Sequence, residues 1–411
     1  MSTIKDNIQK RNTYRDFNTL YSEKGFDEDY TEKNDTKKLK DFKNKNERNK
    51  NLNKRKNNKN TKVKCTFGDN IKFSKNVLFI IILLFDLFIQ ILPDNKLYFS
   101  IFKFANITLN IKGIGLRKIF CSDPGRFETK YHPNIIFINK CQMPNVNYSY
   151  YFNQTNNTVE LIWNHNNIFN SKYMFEGCNN ITEIDMSHFD NSESIQISNM
   201  FSGCSSLTSI NFTNFDTSKA ENMGYMFYGC SSLASLDLSS FNTSLIKSMR
   251  FIFKGCSSLI SLNLSNFQTT SATWMNNTFN GCSGLTGAIP SELFYGLHGA
   301  AAANMFFQTF ASCSGLTGSI PRGLFSRITG TPQVSMFRGT FMKCTGLTGA
   351  IPGGLFGQIT GAPANYMFYN TFYGDTGLTG YVSPRLFANI SSGSATQMMS
   401  YMFYNTGLVS T

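Results

Sequence analysis

Single cysteines recur along the chain at fixed intervals, and their spacing decides which sulfur chemistry is available. The sequence has ten cysteines, and the last seven are separated by 26, 26, 26, 26, 31 and 31 residues. Zinc sites use close pairs such as Cys-x-x-Cys, which do not occur here. A ladder of disulfides would force each cysteine to choose one of two neighbours. We therefore predict a structural row of buried free thiols: Cys178, Cys204, Cys230, Cys256, Cys282, Cys313 and Cys344.

Two cysteines precede this row in a segment with strand-like patterning. Cys121 and Cys141 can form a disulfide if this part of the protein faces an oxidising compartment. The alternative is a pair of buried free thiols. Spacing alone does not separate the two.

Other residue patterns offer little for catalysis. The four histidines have no metal-ligating spacing, and neither a phosphate-binding loop nor a nucleophile elbow occurs. "KGIGLRK" lacks the third glycine of a dinucleotide-binding loop. We predict that the protein is not an enzyme and that it uses neither a metal nor a cofactor.

The positive charge is concentrated in the first part of the chain. The formal net charge is +13, and residues 1–76 hold 21 Lys and Arg against 11 Asp and Glu. Such a segment cannot bury enough apolar surface to fold, so we predict a disordered basic tail. It is either solvated or held against an anionic membrane leaflet. Because the basic residues are not on a folded domain, we predict no nucleic-acid partner.

Residues 77–93 are almost entirely apolar, apart from Asp86 and Gln90. Their length is at the short end of the range for a spanning helix. We predict an uncleaved signal anchor, with a buried core helix as the alternative. The preceding lysines place the tail in the cytoplasm, which predicts a single-pass type II membrane protein with residues 94–411 extracellular or lumenal.

The remaining chain divides into three parts by pattern. Residues 94–168 contain alternating apolar stretches such as "ITLNIKGIG" and "TVELIW", which predict a β-rich module that caps the first repeat. Residues 169–283 repeat every 26 residues, and residues 284–411 repeat every 31. Asp375 and Asn405 stand where the repeat predicts cysteine.

Each repeat combines two local patterns. Stretches such as "LTSINF" alternate like a short strand, whereas pairs such as Met223 and Phe227, four residues apart, indicate a helix. In the longer repeat Pro290 favours a further helical turn, and Gly284 and Gly287 allow tight turns. Stacked repeats of this kind predict an α/β, leucine-rich-repeat-like solenoid with a parallel β-sheet.

The repeated motif, as in "MFSGCSSLTSINFTNFDTS" and "MFYGCSSLASLDLSSFNTS", resembles the BspA-like leucine-rich repeat, also known as the mycoplasma lipoprotein-associated surface repeat. The resemblance covers about residues 174–411. It implies a leucine-rich-repeat solenoid on a cell surface, used for adhesion or for contact with a host or its matrix. It supplies no catalytic residues.

We therefore expect a membrane-anchored recognition or adhesion protein that binds a protein or glycan at a cell surface through its extended repeat surface. The alternative is a structural coat or filament that assembles end to end, because the chain stops inside a repeat and leaves an uncapped C-terminal edge. Outward strand positions supply the candidate contacts: Glu183, Asp185, Ser209, Asn211, Ser235, Asp237, Ser261 and Asn263. Glycosylation sequons include Asn106, Asn147, Asn153, Asn211, Asn263 and Asn389.

Overall fold

The computed structural model describes residues 105–164, 168–262, 267, 271–297, 299–300 and 302–409. All of these residues belong to the same compact unit of the chain. The predicted basic tail, 1–76, and the predicted membrane span, 77–93, lie outside the described residues.

Regular structure in the described residues consists of short strands and two 3₁₀ turns, Thr129–Tyr131 and Pro384–Phe387. The strands are β1 Ala105–Lys112, β2 Gly115–Lys118, β3 Ile135–Ile138, β4 Cys141–Gln142, β5 Ser149–Phe152, β6 Asn156–Trp163, β7 Ile181–Asp185, β8 Ser209–Asn211, β9 Ser235–Leu236, β10 Ser261–Leu262, β11 Gly299–Ala300 and β12 Ile328–Thr329.

The first strands form a sheet that continues directly into the repeats. Its strand order is β4-β3-β6-β1-β7-β8. Strand β1 pairs antiparallel with β6 from Ala105↔Trp163 to Lys112↔Asn156, and on its other side it pairs antiparallel with β7. Alternate residues of β1 are buried, as its apolar alternation requires. The β-rich segment therefore covers the first repeat, and β7 then pairs parallel with β8 of the second.

Successive repeats lie in parallel register, and we call each repeat a layer. Isolated parallel bridges join Asn170 to Gln196, Gln196 to Asn222, Asn222 to Ser248 and Ser248 to Trp274. The same relation continues in the 31-residue repeats, for example between Gly318 and Leu347. One repeat in sequence thus corresponds to one layer in space.

The segment before each cysteine, which the Met/Phe spacing predicts to be a helix, forms turns instead. We call the stack of these segments the turn ladder; its first members are residues 173–178, 199–204, 225–230, 251–256 and 277–282. In the first of them, the N–H groups of Glu176 and Cys178 bond to carbonyls three residues earlier. The N–H groups of Phe175 and Gly177 instead donate to Met200 and Ser202 of the next layer, at 2.8 and 2.7 Å.

Positive backbone angles explain this departure from the helix. Tyr173 has φ 63° and Gly177 has φ 69°, and the equivalent positions of the next layers are also positive. A left-handed residue cannot continue a right-handed helix, and it turns the next N–H along the stack. Since these residues recur every four positions, side chains four apart still point the same way. The spacing of Met223 and Phe227 correctly places both in the core, although the segment is not helical.

The predicted fold class is therefore wrong. The described residues contain strands, turns and two 3₁₀ turns but no α-helix, so they do not form an α/β, leucine-rich-repeat-like solenoid. A helix needs each N–H for its own i−4 carbonyl, and here half of them bond to the next layer. The extra helical turn expected at Pro290 is also absent; 3₁₀ geometry occurs at the equivalent Pro384–Phe387.

The predictions that depend on a transmembrane helix are corrected as well. In the part of the chain that the structure describes, we find no helix with the length and apolar character needed to cross a bilayer. Membrane attachment through one transmembrane helix, and the single-pass type II location with an extracellular or lumenal C-terminal part, are therefore not supported by any helix of the described residues. Neither enters the function proposed below.

Aromatic stacking fills the core beneath the turn ladder. One phenylalanine of each layer lies over that of the next, with ring centroids 5.4–5.8 Å apart and planes within 13° of parallel. The stack consists of Phe175, Phe201, Phe227, Phe253, Phe279, Phe310, Phe341, Phe372 and Phe403. The longer repeats add a second stack, in which Phe306, Phe337 and Phe368 lie 5.4 and 5.7 Å apart. Each layer therefore buries its apolar face against its neighbours.

From Cys282 onward, a glycine two residues after the cysteine position allows adjacent layers to approach closely. Gly287 has φ 88°, as its predicted turn requires. Gly284 does not have a positive φ, but a Cβ there would lie 2.6 Å from the Ser257 carbonyl oxygen. Gly315 repeats this contact, with the carbonyl oxygens of Ser283 and Leu285 at 2.6 and 2.8 Å from its virtual Cβ.

Gly315→Ala should destabilise the protein by about 1–3 kcal/mol, because the added methyl group would overlap two backbone oxygens that cannot rotate away. Urea unfolding followed by circular dichroism would measure the change. Gly323→Ala is the matched control, since the nearest atom to its virtual Cβ is Ser326 Oγ at 3.8 Å. Equal stabilities for the two variants would contradict the close approach of layers at Gly315.

Candidate binding face

The predicted outward strand positions form an exposed polar surface, and four of them lie together. Glu183, Asp185, Ser209 and Asn211 are exposed on β7 and β8. Glu183 pairs with Ser209 and Asp185 pairs with Asn211 across these parallel strands. The in-register stacking of the first two repeats thus brings together residues 26 positions apart.

A shallow depression of about 270 Å³ lies at this surface. Thr108 and Asn110 of β1 line it together with residues of β7 and β8. Their contribution was missed from the sequence, because the pairing of β1 with β7 joins positions more than 70 residues apart. The signal that could have found them is the alternation of "ITLNIK", which puts both on the outward side of β1. We call the depression and its rim the strand face.

Hydrogen bonds hold the two carboxylates of the strand face in place. Asn110 Nδ2 donates to Glu183 Oε2 at 2.7 Å, and Asn211 Nδ2 donates to Asp185 Oδ1 at 2.9 Å. Partial burial raises the pKa of Asp185, but hydrogen bonds from Ser187 and Asn211 outweigh it and hold the pKa below its ordinary value. Asp185 is therefore ionised at neutral pH, and a fixed carboxylate is suited to accept hydrogen bonds from hydroxyl or amine groups.

The other predicted contacts lie further along the layers. Ser235 and Ser261 are exposed and pair with each other across β9 and β10. Asp237 follows β9, and its pKa is lowered by hydrogen bonds from Ser239. Asn263 lies outside the described residues. The strand face proper therefore contains Glu183, Asp185, Ser209 and Asn211 of the predicted set.

The predicted glycosylation sites differ in how available their amide nitrogens are. Asn147 and Asn153 are exposed, whereas Asn106 is half-buried in β1. Asn211 and Asn389 are exposed, but their Nδ2 atoms donate to Asp185 and to the Gly357 carbonyl oxygen. A glycan on either nitrogen would replace one of its two hydrogens and crowd a bond between layers. Asn147 and Asn153 are the better placed acceptors among the described sequons.

The seven repeat cysteines are buried free thiols. In every layer after the first, the thiol donates to the carbonyl oxygen of the stacked phenylalanine of the preceding layer, as in Cys230 Sγ to Phe201 O at 3.2 Å and Cys344 Sγ to Phe310 O at 2.9 Å. Burial raises the pKa of Cys204 to about 12. These thiols stay protonated and act as structural donors. Cys121 is also a buried free thiol, so the Cys121–Cys141 disulfide, one of the two alternatives left open by the sequence, does not form.

Asp375 occupies the cysteine position of its layer and is fully buried. Its Oδ1 accepts a hydrogen bond from the Cys344 N–H at 2.7 Å, while Oδ2 has no partner among the described atoms. Burial raises the pKa of this carboxyl from 3.8 to about 8. A protonated Oδ2 would supply the donor that a thiol supplies in the other layers. Groups of three or more histidine, cysteine or acidic side chains that could hold a metal do not occur in the described ranges.

The stability of the protein should fall as the pH rises from about 5 to 8, because folded Asp375 keeps a proton that the unfolded chain has released. The carboxyl contributes at most about 1.4 kcal/mol per pH unit. In Asp375→Cys this part of the slope should vanish, and the variant should be more stable than the parent at pH 8. Urea unfolding at a series of pH values measures both effects. Asp237→Asn, at an exposed carboxyl, is the control that should keep the parent slope; an unchanged slope in Asp375→Cys would contradict the assignment.

Two overlapping stretches of the chain, residues 142–258 and 195–317, match a family described as Mycoplasma protein of unknown function, DUF285. Together they span the 26-residue repeats and the first part of the longer ones, which is less than half of the chain. No curated protein and no solved structure matches the sequence. The chain is thus similar to a family of Mycoplasma proteins, and the match does not extend to a described activity.

Proposed function

We propose that this is a non-catalytic recognition protein, which binds a protein or a glycan through the strand face. The observation that carries the proposal is the depression at β1, β7 and β8, where two carboxylates and two asparagine amides are exposed yet held by each other. Fixed polar groups lose little side-chain entropy when a ligand hydrogen-bonds to them. An open surface of this kind suits many weak contacts with an extended ligand.

We also propose that the chain is related to the BspA-like surface repeat proteins. The match to a Mycoplasma family over residues 142–317 supports it, because this range contains the 26-residue repeats and the first part of the longer ones. The buried thiols of the repeats also favour a binding role over a catalytic one. Its cysteines are protonated donors in the core, so they are placed to support layers rather than to attack a substrate.

The strand face can be tested with the full chain on an array of glycans and matrix proteins. For the probe that binds most tightly, the double variant Glu183→Gln/Asp185→Asn should raise Kd about tenfold, because it replaces two charged acceptors with neutral amides that accept weaker hydrogen bonds. Glu128→Gln/Glu292→Gln removes two exposed carboxylates elsewhere and should change Kd less than twofold. The proposal fails if both variants bind as the parent does, or if both lose affinity equally. Sedimentation of the same samples would reveal the end-to-end assembly that is the alternative expectation.

A further inference from the structure

Arginine and aromatic side chains alternate along the exposed side of the turn ladder. In the 26-residue repeats, the Arg250 guanidinium lies over the rings of Tyr225 and Trp274, at 5.7 and 5.3 Å from their centroids. The Phe251 ring stacks on Tyr225 at 4.6 Å, and Lys254 Nζ lies 5.2 Å from the Phe251 centroid. Trp274 is 53% exposed, so this cluster faces solvent.

A second cluster of the same composition occurs in the longer repeats. The Arg338 guanidinium lies over the rings of Phe307, Tyr366 and Tyr369, at 5.5, 5.4 and 5.0 Å. Tyr369 in turn contacts Tyr401, which is 58% exposed. Each arginine is therefore held at the surface by several rings rather than extended into solvent.

Backbone hydrogen bonds show that the two clusters belong to one row. Tyr225 N donates to Arg250 O, and the equivalent bonds of later layers are Phe251 N to Asn276 O, Asn277 N to Phe307 O and Gln308 N to Arg338 O. Arg250 and Arg338 thus occupy the same position three layers apart. With about 4.8 Å between neighbouring strands, they are separated by roughly 14 Å along the stack. We call this surface the arginine–aromatic row.

Positive charge predominates in the layers of the row. From residue 221, in the layer of Tyr225, to the end, the sequence has eight Lys and Arg and four acidic residues. Asp375 is fully buried and Glu221 is paired with Lys247 at 2.8 Å, which leaves Asp237 and Glu292 as the other exposed carboxylates of that stretch. Lys254 is half-buried, and burial lowers its pKa. A row of partly desolvated cations is attracted to anions more strongly than the same cations would be in open solvent.

We propose that the arginine–aromatic row binds an anionic polysaccharide, with sulfate or carboxylate groups at the arginines and sugar rings against the aromatic side chains. Guanidinium groups match such oxyanions through paired N–H donors. Several ring faces are already covered, since Tyr225 stacks on Phe251 and Tyr373 stacks on Tyr404 at 5.3 Å. Nucleic-acid binding by stacking needs an open ring face for each base, whereas sulfate or carboxylate groups at the arginines need none, so this row favours a ligand whose main contacts are ionic. The proposal does not depend on the strand face.

The test uses the full chain and a heparin oligosaccharide as the probe. Arg250→Gln/Arg338→Gln should raise Kd at least tenfold, and the parent affinity should fall as salt increases, because the contacts are ionic. Arg322→Gln/Arg385→Gln removes two exposed arginines from other positions and should change Kd less than twofold. The basic segment 1–76 is present in all samples, so the two arginine pairs are compared against the same background affinity for heparin. Circular dichroism would check that each variant is folded.

One further variant and two further probes distinguish the proposed binding from non-specific charge attraction and from nucleic-acid binding. Tyr228 also belongs to the row, since it is exposed and its ring centroid lies 5.7 Å from that of Tyr225. Tyr228→Ser/Trp274→Ser keeps every charge and should still weaken heparin binding several-fold, which tests the aromatic part even if the arginine variant does not fold. Neutral dextran should bind weakly. The proposal is overturned if the two arginine pairs lose affinity equally, since that result indicates non-specific charge. It is also overturned if a single-stranded oligonucleotide binds more tightly than heparin and depends on the same residues.

Discussion

Hydrogen bonds between equivalent turns of successive layers are the interaction on which the rest of the structure depends. Alternate N–H groups of each turn bond within the turn, and the others donate to the next layer. A left-handed tyrosine or asparagine in this turn costs roughly 1–2 kcal/mol when considered alone. The cost is offset when the next layer provides carbonyl acceptors, so we do not expect a single repeat to be stable by itself. Stability of this kind is cooperative between neighbours.

Side-chain contacts also join each layer to its neighbours. Phenylalanine rings stack on their equivalents, and buried thiols donate to the preceding layer. In the longer repeats a threonine acts in the same way, since Thr340 Oγ1 donates to Phe306 O at 3.0 Å. Asp375 is the exception, because it brings an ionisable group into a position otherwise filled by a weak neutral donor. Its raised pKa is the expected response of a carboxyl group to burial without a cation.

Several features could be predicted from the sequence because they follow from local periodicity. Alternation in "ITLNIK" predicts the buried and exposed sides of β1, and the cysteine spacing predicts the length of one layer. The helix predicted from Met223 and Phe227 was wrong because a helix and these stacked turns both place side chains four residues apart on the same side. Only the hydrogen-bond pattern distinguishes the two conformations. Thr108 and Asn110 could not be placed at the strand face, since that requires knowing that β1 pairs with β7. The arginine–aromatic row was missed for the same reason, because its side chains come together only when the layers stack.

The switch from 26 to 31 residues per repeat has a consequence for how the chain can change. Asn277 N bonds to Phe307 O, so the turn ladder crosses the change in repeat length without interruption. The added residues must therefore be accommodated elsewhere in the layer. A deletion or insertion of one or two residues inside a turn would displace the donors and acceptors of that turn from their partners in the two neighbouring layers, whereas loss or gain of a complete repeat would leave all partners in register. The length of this protein is thus free to vary in discrete steps, and the spacing of its binding groups would vary in the same steps.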